Sequence, residues 1–118
     1  MLERRAILND FSVTTLEGAT FAYGEIWQKK NLIAVSLGPG TRDPEYVARL
    51  RELGSGLGDH TTLVVTEEPV AGEAGPLALV ADRYGEVYFV ARAETAAALP
   101  PPGELGDWLA YLRMRCSA

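Results

Sequence analysis

The chain has 118 residues, of which 47% are hydrophobic and 23% are charged, with a formal net charge of −5. These proportions are typical of a folded globular protein and argue against disorder, so we predict a single domain over residues 1–118. No run of Lys or Arg is longer than the pairs Arg4-Arg5 and Lys29-Lys30, which argues against nucleic-acid binding, and no apolar run approaches the ~20 residues of a membrane span.

The cysteine content and the first residues bear on the cellular compartment. Cys116 is the one cysteine, so the chain cannot form an intramolecular disulfide and gives no sign of an oxidising compartment. Residues 1–5 lack the apolar core of a signal peptide. We therefore expect a cytoplasmic protein that binds neither a nucleic acid nor a membrane.

An N-terminal β-hairpin is the first predicted element. Residues 11–15 alternate apolar and polar side chains, and residues 20–23 resume this alternation after a turn at Glu17-Gly18. Trp27 follows in a short turn. We predict that it packs beneath the sheet, because large aromatic side chains dominate core burial.

The central stretch of the chain is a predicted strand followed by a helix. Residues 32–37 form a short apolar run with β-branched members, which indicates a strand buried on both faces. Gly38-Pro39-Gly40 ends this run. Asp43 as the N-cap and Pro44 at the first helical position then begin a helix, which is predicted to end at Gly54.

The next predicted strand covers residues 61–66. A strand, a helix and a strand at this spacing predict a parallel pair with a right-handed crossover. Gly54, Gly56 and Gly58 precede the second strand, but they follow a helix, which is not the setting of a dinucleotide-binding loop. His60 lies in the same loop and is predicted to face solvent without a metal-binding or catalytic role.

The last predicted elements are a second hairpin and a helix. Residues 76–81 and 86–91 are predicted to pair antiparallel, because Gly85 supplies the positive φ that the turn between them needs. Residues 103–115 are predicted to form a helix that lies on the sheet. Its apolar residues recur at helical spacing and are Leu105, Trp108, Leu109, Leu112 and Cys116.

The order of these elements is that of the thioredoxin fold with an N-terminal hairpin added. The sequence also resembles the peroxiredoxin family, which comprises alkyl hydroperoxide reductases and thiol-specific antioxidants. The resemblance rests on residues 10–13, 31–35 and 80–88 and on a C-terminal helix that ends in Cys116. It implies a thioredoxin-like α/β fold in which the βαβ unit and the second hairpin form a central mixed sheet.

The resemblance fails at the position of the reactive cysteine. Members of the family place this cysteine in the loop or first helical turn after the first central strand, where the helix N-terminus lowers its pKa. The corresponding loop here has no cysteine and consists of Gly38, Pro39, Gly40, Thr41, Arg42 and Asp43. A threonine hydroxyl without a neighbouring base is a poor nucleophile. We therefore predict no catalytic residue in this loop, and we expect neither a cofactor nor a metal site.

Pro76 is the second position that the resemblance singles out. It corresponds to a cis proline that the family places beside the active loop. Family members usually carry a helix before this proline, whereas only residues 67–75 are available here. We expect the helix to be reduced or absent, since nine residues easily cross one intervening strand, a distance of about 10 Å.

Three interpretations of Cys116 are open. It is a small buried hydrophobic residue, an exposed thiol without a task, or a redox-active thiol that forms an intermolecular or mixed disulfide.

We carry three hypotheses for function. The first is a peroxiredoxin-like protein without the peroxidatic cysteine that serves as a non-catalytic binding or assembly module, as a homodimer or with an unknown protein partner. The alternative is a thiol-dependent oxidoreductase, a peroxidase or disulfide-exchange enzyme, acting through Cys116. The third is a site for a small anion, formed by Arg42 and helix N–H groups.

Overall fold

The computed structural model describes the backbone of residues 2–116 and the side chains of residues 2–114. Within residues 2–116 the secondary structure consists of two helices and six strands, with two short 3-10 turns. In chain order the elements are β1 (Ser12–Thr14), β2 (Thr20–Ala22), β3 (Asn31–Ser36), α1 (Pro44–Ser55), β4 (Thr61–Thr66), β5 (Leu77–Ala81), β6 (Val87–Arg92) and α2 (Pro102–Cys116).

Four of the strands form the central sheet, in the order β4-β3-β5-β6. Strands β3 and β4 are parallel, and β5 is antiparallel to both β3 and β6. The predicted βαβ unit and the second hairpin are therefore confirmed. The N-terminal hairpin is also present, but β1 and β2 form a separate two-stranded sheet that touches β4 through a bridge between Thr15 and Thr66. Residues 67–76 contain no helix and cross β3 to reach β5.

Different parts of the chain cover the two faces of the sheet. Both helices pack on one face, where Leu50 and Leu109 belong to the same core cluster as Ile33. The N-terminal segment and the hairpin pack on the other face, where Leu8 and Val13 join the second core cluster. A sheet must bury both apolar faces. Because residues ahead of β3 cover the second face, the chain needs no helix between β4 and β5.

The prediction for Trp27 is wrong, since its side chain is 48% exposed. A 3-10 turn at Tyr23–Glu25 directs the side chains of Tyr23 and Ile26 into the core. Residues three apart lie on the same side of such a turn. The next residue, Trp27, therefore points away from the sheet.

The predicted end of α1 is also wrong, because the helix continues through Gly54 to Ser55 and is capped by Gly56. A Cβ on Gly54 would lie 2.9 Å from Leu63 Cδ2 of β4. Gly54 therefore permits the close approach of the helix to the sheet and does not stop the helix.

Gly75, which precedes β5, lies directly against Ser36 at the end of β3. A Cβ at this position would lie 2.4 Å from the carbonyl oxygen of Ser36 and 2.5 Å from Ser36 Oγ. Neither atom can move away freely, because Ser36 is fully buried and its hydroxyl donates to the Glu68 carbonyl at 2.7 Å.

Replacing Gly75 by Ala should lower the free energy of unfolding by about 2 kcal/mol or more, because the new methyl group overlaps backbone and buried side-chain atoms. Gly103→Ala is the matched control. A Cβ at Gly103 has no neighbour within 4 Å, so this change inside α2 should be neutral or slightly stabilising. Chemical denaturation measures both values, and equal stability of the two variants would contradict the packing argument.

The start of α1 has the predicted cap, in which Asp43 Oδ1 accepts the Tyr46 N–H at 3.0 Å. Replacing Asp43 by Ala should lower the free energy of unfolding by about 1 kcal/mol, because this N–H loses its acceptor. Asp43→Ser keeps an acceptor and should retain most of the stability. If urea denaturation shows the same loss for both variants, the side chain does not act as a cap.

Candidate functional site

The loop of residues 38–43 leaves the sheet at the carboxyl end of β3. The Leu37 N–H donates to the Thr66 carbonyl at 2.8 Å, which places the ends of β3 and β4 side by side. Gly38 has φ +93° and Gly40 has φ +68°, so both turn the chain through the left-handed region that favours glycine. The loop therefore occupies the edge of the sheet where α/β proteins bind ligands.

Pro76 borders the beginning of this loop. The Gly75–Pro76 peptide bond is cis. A Cβ on Gly38 would lie 3.6 Å from Pro76 Cδ. The structure thus places Pro76 beside the loop.

The carboxylate of Glu67 accepts hydrogen bonds from two residues of the loop. Its Oε1 accepts the Gly40 N–H at 3.0 Å, and its Oε2 accepts from Arg42 Nε at 2.5 Å. The Glu67 side chain is largely buried, whereas that of Arg42 is mostly exposed. The donors that were expected to bind a small anion are therefore already bonded to the carboxylate of Glu67. An incoming anion must displace this carboxylate.

The other polar groups of the loop also have structural partners. The Thr41 N–H donates to the Gly38 carbonyl at 3.2 Å, and its hydroxyl lies 3.5 Å from the Pro39 carbonyl. A backbone carbonyl does not act as a base, so this contact does not activate the hydroxyl. Asp43 serves as the cap of α1. The arrangement stabilises a backbone turn and offers no nucleophile.

Tyr46 is a buried titratable side chain in the first turn of α1. It is buried, and its hydroxyl donates to the Pro100 carbonyl at 2.6 Å. Burial raises the pKa of Tyr46 to about 12. The phenol therefore stays protonated at neutral pH, and its hydrogen bond ties α1 to the segment before α2.

Sequence reasoning missed the role of Glu67, which lies 27 residues from Gly40. A usable signal was present in the parallel pairing. Ser36 is in register with Thr66, so the residues that follow them are neighbours. Parallel strands bring their carboxyl ends together, and the first residue after β4 is therefore placed against the loop that follows β3.

The structure does not bring Cys116 to the loop. The chain enters α2 close to the start of α1, since Pro100 contacts Tyr46. Further along α2, the Arg113 guanidinium donates to the Leu57 carbonyl at 2.7 Å and to Thr61 Oγ1 at 3.1 Å, at the opposite end of the sheet. A helix of this length spans ~20 Å. The side chain of Cys116 lies outside the described residues, so the three interpretations of its thiol stay predictions.

Among the described side chains, those of residues 2–114, no group of three or more His, Cys, Asp or Glu could hold a metal ion. His60 is exposed, as predicted. No helix in this range is long and apolar enough to cross a membrane.

Comparison with known proteins supports the fold. No protein-family model and no curated protein sequence matches this chain. Among solved structures, a thiol peroxidase from Chromobacterium violaceum is similar, with a TM-score of 0.64 at 11% sequence identity. The match covers 98% of this chain and 90% of that chain. Together with the mixed sheet and the two helices, it shows that this chain has a thioredoxin-like fold of the kind found in peroxiredoxin-type enzymes.

Proposed function

We propose that this chain is a non-catalytic binding or assembly module on a thioredoxin-like scaffold, and that it works in the cytoplasm. The observation that supports this proposal is the loop at the end of β3. Residues 38–43 contain no nucleophile, and Glu67 fills the position where their donors converge.

Thiol-dependent peroxide reduction needs a thiolate that attacks one peroxide oxygen while the bond between the two oxygens breaks. None of the loop residues supplies such a group. Asp43 adds a negative charge at the helix N-terminus, where a thiolate would otherwise be stabilised, and like charges disfavour each other at short range. The loop is therefore suited to holding the scaffold together and not to redox chemistry.

The competing function is a thiol-dependent oxidoreductase that acts through Cys116. Such an enzyme would have to work without the loop, because the backbone of Cys116 lies at the other end of the sheet from Thr41. It would also need a resolving thiol from outside the chain, since Cys116 is the one cysteine. Both requirements favour the non-catalytic proposal.

The proposal includes a binding partner, because a protein without catalytic activity acts by binding another molecule. We infer that the chain forms a homodimer. A domain of this size gains apolar burial by associating with a second copy, and two-fold dimers are the commonest oligomers.

The wild-type chain should consume hydrogen peroxide and organic hydroperoxides in the presence of dithiothreitol no faster than the buffer alone, because it has no positioned thiolate. Cys116→Ser should behave identically. A thiol peroxidase assayed in parallel shows that the conditions support turnover. Thiol-dependent turnover that disappears in Cys116→Ser would establish the oxidoreductase function instead, and turnover in both proteins would also contradict the proposal.

A further inference from the structure

The residues that precede β3 meet the turn between β5 and β6 at the end of the sheet opposite the loop of residues 38–43. The Gln28 N–H donates to the Arg83 carbonyl at 2.7 Å. Gln28 has φ +67°, a left-handed conformation that is uncommon for a residue with a Cβ and that the surrounding contacts must maintain. The hydrogen bond therefore holds these two segments side by side.

Two large aromatic residues are exposed beside this hydrogen bond. Trp27 directly precedes Gln28, and Tyr84 directly follows Arg83. Their side chains are 48% and 52% exposed, respectively. Among residues 2–114, no other aromatic ring contacts the ring of Trp27. Large apolar side chains that are exposed close together mark a contact site for a protein or a membrane.

Three cations belong to the same two segments. Lys29 and Lys30, the two lysines of the chain, follow Trp27 closely in the sequence. The Arg83 guanidinium lies 5.1 Å from the centroid of the Tyr84 ring. Among the described residues, none of these three cations forms an ion pair with a carboxylate. We call this surface the basic aromatic surface, and its members are Trp27, Lys29, Lys30, Arg83 and Tyr84.

The two carboxylates of the turn between β5 and β6 are already engaged. Asp82 is buried, and its Oδ1 accepts the Tyr84 N–H at 2.9 Å and the Glu86 N–H at 3.0 Å. The Glu86 carboxylate lies 3.7 Å from Arg5 Nε. Neither carboxylate is paired with Arg83, so its guanidinium stays available to an external anion.

The other carboxylates at this end of the sheet belong to different segments or precede the exposed ring. Asp10 Oδ1 accepts the Gly24 N–H at 3.0 Å, and Glu25 is the next residue, so both lie on the N-terminal side of Trp27. Asp59 precedes β4, which is separated from β5 by β3. The residues that directly flank the hydrogen bond between the two segments therefore carry cations and no free carboxylate.

The residue types of the basic aromatic surface favour a lipid surface over a protein. Lysine is depleted in protein interfaces. Tryptophan and tyrosine are enriched where a membrane meets water, and lysine and arginine side chains beside them extend to the lipid headgroups. Both lysines of the chain lie next to the exposed Trp27, which is typical of the second kind of site.

We propose that the basic aromatic surface binds the surface of an anionic membrane, with the rings of Trp27 and Tyr84 among the headgroups and the three cations beside lipid phosphates. The inference goes beyond the proposed function and does not depend on it, because it concerns the opposite end of the sheet. The net charge of −5 opposes binding. However, the molecule extends over 41 Å, and salt screens charges that lie more than about 8 Å from the lipid.

This site differs from what the sequence predicted. No membrane partner was expected, because the longest basic runs in the sequence are pairs. Arg83 joins the Lys29-Lys30 pair only in the folded chain, through the hydrogen bond of its carbonyl to Gln28. A site on the surface of a membrane also needs no membrane-spanning segment.

Binding to lipid vesicles tests the proposal. The parent protein carries Trp108→Phe, which leaves Trp27 as its one tryptophan. In low salt, vesicles of one part phosphatidylglycerol to three parts phosphatidylcholine should shift the Trp27 emission to shorter wavelength and should sediment with the protein. Vesicles of phosphatidylcholine alone should bind about tenfold less protein or still less, and added salt should weaken the binding to anionic vesicles.

The variant Lys29→Glu with Lys30→Glu should lower the partition coefficient about 25-fold or more, since each cation near an anionic surface contributes about fivefold. Trp27→Ala, followed by sedimentation alone, should lower it about tenfold. The matched control is Arg49→Glu with Arg51→Glu, which changes the net charge equally at exposed positions of α1, on the other face of the sheet. It should bind within about twofold of the parent protein. Urea denaturation checks that every variant is folded.

Three results would each overturn the proposal. These are a parent protein that does not bind the anionic vesicles, a lysine variant that binds as tightly as the parent, and an arginine control that loses as much binding as the lysine variant. Polyglutamate replaces the vesicles in a parallel titration. A shift of the Trp27 emission with polyglutamate and not with vesicles would make the partner an acidic polypeptide and would also overturn the proposal. Peroxide turnover by a vesicle-binding protein would remove the proposed function and leave this site intact.

Discussion

The burial of β3 on both faces is the constraint on which the remaining structure depends. Residues 32–36 have no exposed surface, so other parts of the chain must cover both faces of this strand. The helices cover it once, and the N-terminal segment with the hairpin covers it again. The end of β3 is thereby held between β4 and Pro76, and the loop of residues 38–43 emerges at a defined place.

The groups of that loop have roles in the fold, and none of them is a thiol. Asp43 begins α1, Glu67 links Gly40 to Arg42, and the glycines turn the backbone. Each of these groups is explained by the folding of the loop itself. The proposed binding or assembly role therefore needs a contact surface elsewhere on the chain.

Sequence patterns predicted those features that depend on short-range physics. The cap at Asp43, the parallel pair around α1 and the hairpin turn at Gly85 follow from local spacing and local backbone preference, and the structure contains all three. That residues 38–43 contain no cysteine can be seen in the sequence directly, because it depends on residue identity alone. Features that depend on tertiary contacts could not be predicted in this way. Trp27 was expected inside because of its size, but Tyr23 and Ile26 occupy the available space. The reach of Glu67, the approach of Leu63 to Gly54 and the bulge at Tyr88 likewise require knowledge of which elements lie side by side.

The β-bulge at Tyr88 lies between Val87, which pairs with Ala81, and Phe89, which pairs with Val80. It changes the face of the sheet to which the following side chains of β6 point. Val87 and Val90 pack against the same core cluster although they are three residues apart, which is the spacing of a helix and not of a strand. If β6 shifted by one residue along β5, aromatic side chains would therefore take the places of small aliphatic side chains on one face of the sheet. The reverse exchange would occur on the other face. The mismatch in side-chain size fixes the alignment of the outermost strand, which otherwise has a neighbour along one edge for most of its length.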